Sequence, residues 1–366
     1  MKRFVHLLIP VIFLFSCTKS NHEPIVYFTQ DISPEGFMKV YKQISKNLEG
    51  KVGVKVHFGE EGNTYYVKPE LFKDIVLDCQ GIFIETNVLY KSPRQKTDTH
   101  IALAKQHGFT YAPIDILDDK GELAIENVPG CKHFNKFYYG KNIDSYNSFL
   151  IISHFKGHGS AGFGGAIKNI SMGFATPRGK LAMHRNNFPV CDRDRCTNCD
   201  SCALQCPAKA ISTNPFWIDV DKCTGCGKCI DVCPNKALRY PKGDIDVQTV
   251  FCERLAEYAK AIYDRHKKMV FINVLVDIST SCDCSRNPGK PFVPNIGILA
   301  STDIVAIEKA SHDLVAKAHG CADPFLDVNR VSGYRQIQYA NTLGMGEMNY
   351  RLVNLDNNEE TLVISE

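Results

Sequence analysis

Two segments of the chain are near copies of one another, CTNCDSCALQCPAKAI from Cys196 and CTGCGKCIDVCPNKAL from Cys223. Each reads C-x2-C-x2-C-x3-C-P. Three thiolates at intervals of three residues wrap one face of an iron–sulfur cubane. The fourth cysteine opens a short helix that carries it to the other cluster. The spacing predicts two [4Fe–4S] clusters, one held by Cys196, Cys199, Cys202 and Cys233, the other by Cys223, Cys226, Cys229 and Cys206. Pro207 and Pro234 suit first-turn helix positions, where no N–H is required. Such a chain passes electrons, and the pattern names neither their donor nor their acceptor.

A pair of structural zinc sites would also use clustered cysteines. Tandem copies of the triple-cysteine run, each closed by Cys-Pro, are instead the two-cluster ferredoxin pattern. Eight of the 16 cysteines fall in this block, in metal-cluster spacing, which argues against a disulfide scaffold. The chain of 366 residues has room for more than one domain and a sizeable core. Its net charge of +3 gives no nucleic-acid footprint.

The N-terminus reads MKRFVHLLIPVIFLFSCTKSNHEP. Lys2 and Arg3 precede an apolar stretch, Val5 to Phe15, too short to span a bilayer as a stable helix. Leu14-Phe15-Ser16-Cys17 resembles a bacterial lipobox, with Cys17 as the lipidated residue after cleavage. That predicts a membrane tether at the cell envelope. A buried first element with a chance cysteine, in a cytoplasmic protein, is the alternative. The segment has Lys2-Arg3 rather than twin arginines, so clusters would have to be acquired after export.

From Ile25 the sequence alternates between strands and helices. IVYFT, KVGVKVHF and GIFIETN read as strands. Ser33 caps a helix with Pro34 at its first position, and THIALAKQHGF is a helix stopped by Gly108. NSFLIISHF is a continuous apolar run, the mark of a strand buried on both faces. After the cysteine block, Phe251, Leu255, Ala259 and Ile262 form one helical stripe. MVFINVLVD and IGILAS read as buried strands, followed by two helices and a last strand, MNYRLVNLD. The fold class is α/β, a largely parallel or mixed sheet with helices on both faces, interrupted by an inserted ferredoxin-like module. The expected organisation is residues 1–20 as signal and anchor, 21–190 and 243–366 as the two parts of one α/β domain, and 191–242 as the cluster module.

The stretch SHFKGHGSAGFGGAIKN, Ser153 to Asn169, contains G-x-G-x-x-G after a strand. A dinucleotide site would need an acidic residue about twenty positions on to hold the ribose. None occurs between Asp144 and Asp192, so a nicotinamide or flavin site is disfavoured. The same interval carries His154, Lys156, His158, Lys168, Arg178, Lys180, His184 and Arg185 with no local carboxylate to neutralise them. Glycines let backbone N–H groups approach a ligand, and unpaired cations favour an anion. The expectation is a small anionic ligand at the end of a buried strand, where α/β sheets bind ligands. Lys156 and Lys168 would orient it and His154 or His158 transfer a proton. Gly164, Gly165, Asn169 and Arg178 are the further binding candidates. A solvated basic loop with glycines in tight turns is the alternative.

Cys282-Asp283-Cys284 is either a soft-metal or redox element or a loop with two free thiols. Cys79, Cys131, Cys252 and Cys321 read as isolated core cysteines, and Cys191 lies outside the repeat register. Glu85 and Asn87 end the strand GIFIETN and Arg94 follows shortly after, where polar active-site residues or exposed strand ends both occur.

SHFKGHGSAGFGGAIKNISMGFATPRGK, ETNVLYKSPR, SCDCSRNPG and IGILASTDIVAIEKA together resemble the iron–sulfur-centre proteins built on domain of unknown function 362. The resemblance runs from about Ile25 to Asp356. It implies a redox-linked α/β protein and reinforces the cluster ligands. The two readings of function are an iron–sulfur oxidoreductase acting on a small anion, and a tethered electron-transfer subunit or cluster-bearing sensor that serves a redox partner without catalysis of its own.

Overall fold

The computed structural model describes residues 23–185, 188–219, 222–223, 228–239 and 245–364. The expected lipid-anchor segment with Cys17, and Cys226 of the second cluster set, lie outside the described residues.

Nine strands make one sheet: β1 (Ile25–Thr29), β2 (Val52–Lys55), β3 (Ile82–Glu85), β4 (Ile114–Ile116), β5 (Ser148–His154), β6 (Met269–Leu275), β7 (Gly297–Ser301), β8 (Tyr350–Asn354) and β9 (Glu359–Val363). Their spatial order is β9-β8-β1-β7-β6-β5-β2-β3-β4. From β6 to β4 every pairing is parallel. β7 runs antiparallel to both of its neighbours, β1 and β6, so the sheet is mixed. The reason is local. Residues 276–296 join β6 to β7 as a loop with no crossover helix, and adjacent strands joined that way run antiparallel.

The central strands are buried on both faces, which explains their unbroken apolar sequence. All seven residues of β5 and all seven of β6 are buried. Side chains alternate across a strand. Phe149 and Ile151 of β5 accordingly join one core and Leu150 and Ile152 the other. The second core is covered by helix α1 (Pro34–Ile44), which begins at the expected Ser33 cap with Pro34 in its first turn and buries Phe37, Val40 and Ile44. Helix α2 (Thr97–Gln106) adds Ala104 to the same face. On the first face lie α3 (Ala166–Phe174), α4 (Pro177–His184), α5 (Ile245–Arg265), α6 (Ile304–His319) and α7 (Arg335–Thr342). The stripe Phe251, Leu255, Ala259 and Ile262 of α5 is fully buried there. Two additions were not expected: the hairpin Glu122–Glu126 with Lys136–Gly140, which turns Leu123, Ile125, Phe137 and Tyr139 toward the first core, and the largely exposed edge strand β9, which carries little apolar alternation.

The segment between α4 and α5 has its own small architecture. Val190–Cys191 pairs with Leu238–Arg239, and Ile211–Thr213 pairs with Phe216–Ile218. Two four-residue helices, Ser201–Leu204 and Lys228–Asp231, each contain the third cysteine of a run, Cys202 and Cys229, and end before the fourth. Pro207 and Pro234 therefore lie in turns after Cys206 and Cys233 rather than in the first turn of a helix as expected. Phe216, Cys229 and Leu238 form an apolar cluster separate from both cores of the large sheet. The internal repeat is structural as well as sequential. Asp192 N–H donates to the Ala237 carbonyl and Asp219 N–H to the Ala210 carbonyl, each at 2.8 Å. Lys209 and Lys236 occupy the left-handed region at equivalent positions, φ 50° and 49°.

Candidate functional site

A cavity of about 240 Å³ opens at the carboxyl ends of β2, β3 and β5, beside the loop that follows β6. Five Lys and Arg side chains line it, Lys55, Arg94, Lys156, Lys168 and Lys180, against a single carboxylate, Glu85. Seven of the eight residues expected at the site, His154, Lys156, His158, Gly164, Gly165, Lys168 and Asn169, line it as well. The eighth, Arg178, does not. Its guanidinium lies over the Tyr138 ring and pairs with Glu122 at 3.3 Å, largely in solvent.

The walls are a buried ionic network. Lys55 Nζ meets Glu85 Oε1 at 3.1 Å, and Glu85 Oε2 meets Arg94 at 3.1 Å. Burial lowers the pKa of Lys55, and Glu85 opposes that shift. Arg94 also faces His57 and His100, which burial first and the guanidinium second hold well below the ordinary histidine value. Asn169 is a brace: its side-chain oxygen accepts from Lys55 at 2.8 Å, and its amide donates to the Ile152 carbonyl and to Ser153. Gly173 makes room for Lys55, since a Cβ there would stand 1.9 Å from the lysine Cε.

The expected absence of a neutralising carboxylate holds along the sequence but not in space. Asp283, 129 residues beyond His154, accepts from its Nδ1 at 2.8 Å and pairs with Lys156 at 3.1 Å. Burial alone would raise the Asp283 carboxyl, but His154 and Lys156 together hold it below the usual range. His154 Nε2 meets the Val276 carbonyl at 2.7 Å, so both ring nitrogens are engaged and neither is free to move a proton for a ligand. His154 and Lys156 therefore fix the loop after β6 rather than meet a substrate.

Lys168 differs. It makes no hydrogen bond or ion pair among the described residues, and it projects from the first turn of α3 into the cavity. Burial, then repulsion from Lys156, pushes its ammonium down to about 7. Lys180 is also brought down to about 7 by burial, but it donates to Thr86 and to the carbonyls of Asn87 and Ala175. Close by, Gly165 lets Glu308 of α6 reach the start of α3; a Cβ there would lie 2.1 Å from Glu308 Oε1. The carboxylate accepts from Ala166 N–H and Asn273, and burial pushes it up to about 7.

Cys282 and Cys284 are joined as a disulfide, not left as free thiols. Cys284 lines the cavity, and a His158 ring nitrogen and both sulfurs lie within 4.8 Å of one another. Glu85 and Arg94, singled out at the end of GIFIETN and just after it, do line the cavity, whereas sequence reasoning missed Lys55 and His57 as members of this site. Their only local signal was position at or just beyond strand ends.

In the cysteine segment, Cys196, Cys199, Cys202 and Cys233 line one small cavity. Three come from the first repeat and one from the second, the set the spacing predicts. Backbone N–H groups of Ala210 and Ala237 point at the sulfurs of Cys206 and Cys233, at 3.3 and 3.2 Å. A four-thiol donor set with a backbone N–H, that of Ala237, aimed at its Cys233 sulfur suits a cubane cluster. Among the described residues no helix is long and apolar enough to cross a membrane.

A sequence model of a domain of unknown function, DUF362, matches residues 52–313. No curated protein matches the chain. Among solved structures, the lactate racemase apoprotein from Thermoanaerobacterium thermosaccharolyticum is similar at 13% identity with a TM-score of 0.35. The match covers 69% of this chain and 51% of that one, so the chain spans about half the length of that protein.

Proposed function

The chain belongs to the DUF362 family, and from that footing we propose that it is an iron–sulfur redox protein acting on a small anion held in the cavity at the strand ends. The observation that carries this is the cavity's charge: five Lys and Arg side chains line it, Glu85, Asp283 and Glu60 offset Lys55, Lys156 and Arg94, and Lys168 is free of any partner among the described residues. Enclosed cations at a sheet's carboxyl edge raise the local concentration of an anion. Lys168 would take the anion's charge. Lys55 and Arg94, held by Glu85, would present a fixed positive wall, and Lys156, paired with Asp283, would hold the loop after β6 beside it.

Cys196, Cys199, Cys202 and Cys233 would hold one [4Fe–4S] cluster, and Cys223, Cys226, Cys229 and Cys206 the other. When bound, the clusters supply one-electron transfer. The shared cavity of the first set supports this reading. The N–H groups of Ala210 and Ala237 would stabilise ligating thiolates at Cys206 and Cys233. We also propose a lipid tether at Cys17, tested by following lipid labelling and membrane fractionation of the wild type and Cys17→Ala.

Anaerobic purification with iron and sulfide analysis tests the proposal, followed by EPR of the reduced protein with and without inorganic phosphate. About eight irons per chain are expected, with calorimetric binding of phosphate. Four irons or fewer, or zinc in their place, overturns the two-cluster reading. Absence of anion binding overturns the cavity's role.

A further inference from the structure

We propose that the Cys282–Cys284 disulfide is a reactive centre of the cavity, which undergoes thiol–disulfide exchange with a small anionic thiol. The two sulfurs are unequal. Cys282 is 4% exposed, whereas Cys284 lines the cavity and is reached from it. An incoming thiolate therefore meets Cys284 first. Exchange also depends on how well the departing sulfur carries charge. Here the Cys284 backbone N–H donates to Cys282 Sγ at 3.4 Å, so the buried sulfur is the supported leaving group.

His158 stands beside the pair, one of its ring nitrogens and both sulfurs lying within 4.8 Å of one another. Its Nδ1 accepts from the N–H groups of Ser160 and Ala161, at 3.2 and 3.0 Å. In a neutral ring whose Nδ1 accepts, the proton is on Nε2, the nitrogen left to donate toward sulfur. The same tautomer argues against a metal held by His158 and the two sulfurs. A metal-binding imidazole donates its other N–H to an acceptor, and here two donors occupy that place. Asp283, between the cysteines, is turned the other way onto His154 and Lys156, which fixes the loop that carries both sulfurs.

The step balances without an external oxidant or reductant. The substrate thiolate forms a bond to Cys284 Sγ, the Cys282–Cys284 bond breaks, and the electron pair leaves on Cys282 as thiolate. The negative charge is conserved and is met by the Cys284 N–H, with the His158 ring nitrogen within 4.8 Å. The class of thiol follows from Lys168 and its neighbours. This part rests on the cavity being an anion site, as proposed above, and no part rests on the clusters.

The full chain is treated in parallel with 2-mercaptoethanesulfonate, 2-mercaptoethanol and cysteamine, acid-quenched, alkylated, and mapped by peptide mass. The expected result is an adduct on Cys284 with alkylated Cys282. Per thiolate, the sulfonate reacts at least about tenfold faster than cysteamine. Lys168→Met narrows that ratio and Lys168→Arg restores it. A disulfide that stays closed with all three thiols, or adducts on Cys282 instead, overturns the proposal even where phosphate still binds. Opening at equal rates by all three overturns the anionic-thiol assignment and, with it, the cavity's charge selectivity. Stoichiometric zinc uptake by the reduced chain that is lost in His158→Gln replaces the exchange centre by a metal site.

Discussion

Cys196, Cys199 and Cys202 lie on one short run of chain and share a cavity with a single distant partner, Cys233. The strand-end cavity instead draws Lys55 from β2, Glu85 from β3, Lys168 from α3 and Cys284 from the loop after β6. The first arrangement is dictated by spacing and could form on almost any scaffold that brings two repeats together. The second exists only when the large sheet is assembled. Its charges are balanced by residues that sequence proximity does not reveal, as Asp283 does for His154 and Lys156. Ligand identity is therefore readable where donors are local, whereas net charge at a site is a property of the fold.

If the two regions are this independent, substitutions in one should leave the other untouched. The largest effect is expected for Cys199→Ser, which should remove one cluster, about four of eight irons by analysis, while calorimetric phosphate binding persists. Loss of phosphate binding would break the separation. Next comes Glu85→Gln, which leaves Lys55 and Arg94 buried without their shared counter-charge. Removing one partner of a buried ion pair costs about 3–5 kcal/mol, to be read from urea unfolding, with iron content unchanged.

Lys168→Met should weaken phosphate binding about tenfold, or roughly 1.4 kcal/mol. The pH dependence has a defined sign. The Lys168 ammonium is lost as pH rises through about 7, so its contribution to phosphate affinity falls across that range; it is read as the difference between wild type and Lys168→Met, in which the phosphate's own titration cancels. Lys180, also at about 7, leaves a residual slope. Because both lysines titrate lower in the folded than in the unfolded chain, the unfolded state binds more protons between about pH 7 and 10. Stability of the ligand-free protein should therefore rise with pH over that window. Smallest is Arg178→Ala, expected within about 1 kcal/mol in stability and without effect on phosphate affinity.

Much of the large sheet was legible because burial on both faces leaves a plain mark, as in FLII of β5. The helix of Phe251 and Ile262 was legible because one face is buried. The antiparallel sense of β7 was not, since IGILAS has the same composition in either direction and only the connection decides. At the site, SHFKGHGSAGFGGAIKN drew attention to a run that does reach the cavity. The role of each residue could not be read from it. His154 and Asn169 have polar atoms committed to Asp283 and Lys55, and whether a polar atom is committed depends on partners brought by tertiary contact.

The reversed strand β7 has a consequence for how this protein can change. β6 ends at the cavity and its antiparallel neighbour begins there, so residues 276–296 leave and return on one side of the sheet. Lengthening or replacing that segment would disturb no crossover and shift no strand register. It is an exchangeable cartridge, carrying both sulfurs and the Asp283 anchor, in which a new ligand preference could arise while the sheet stays as it is.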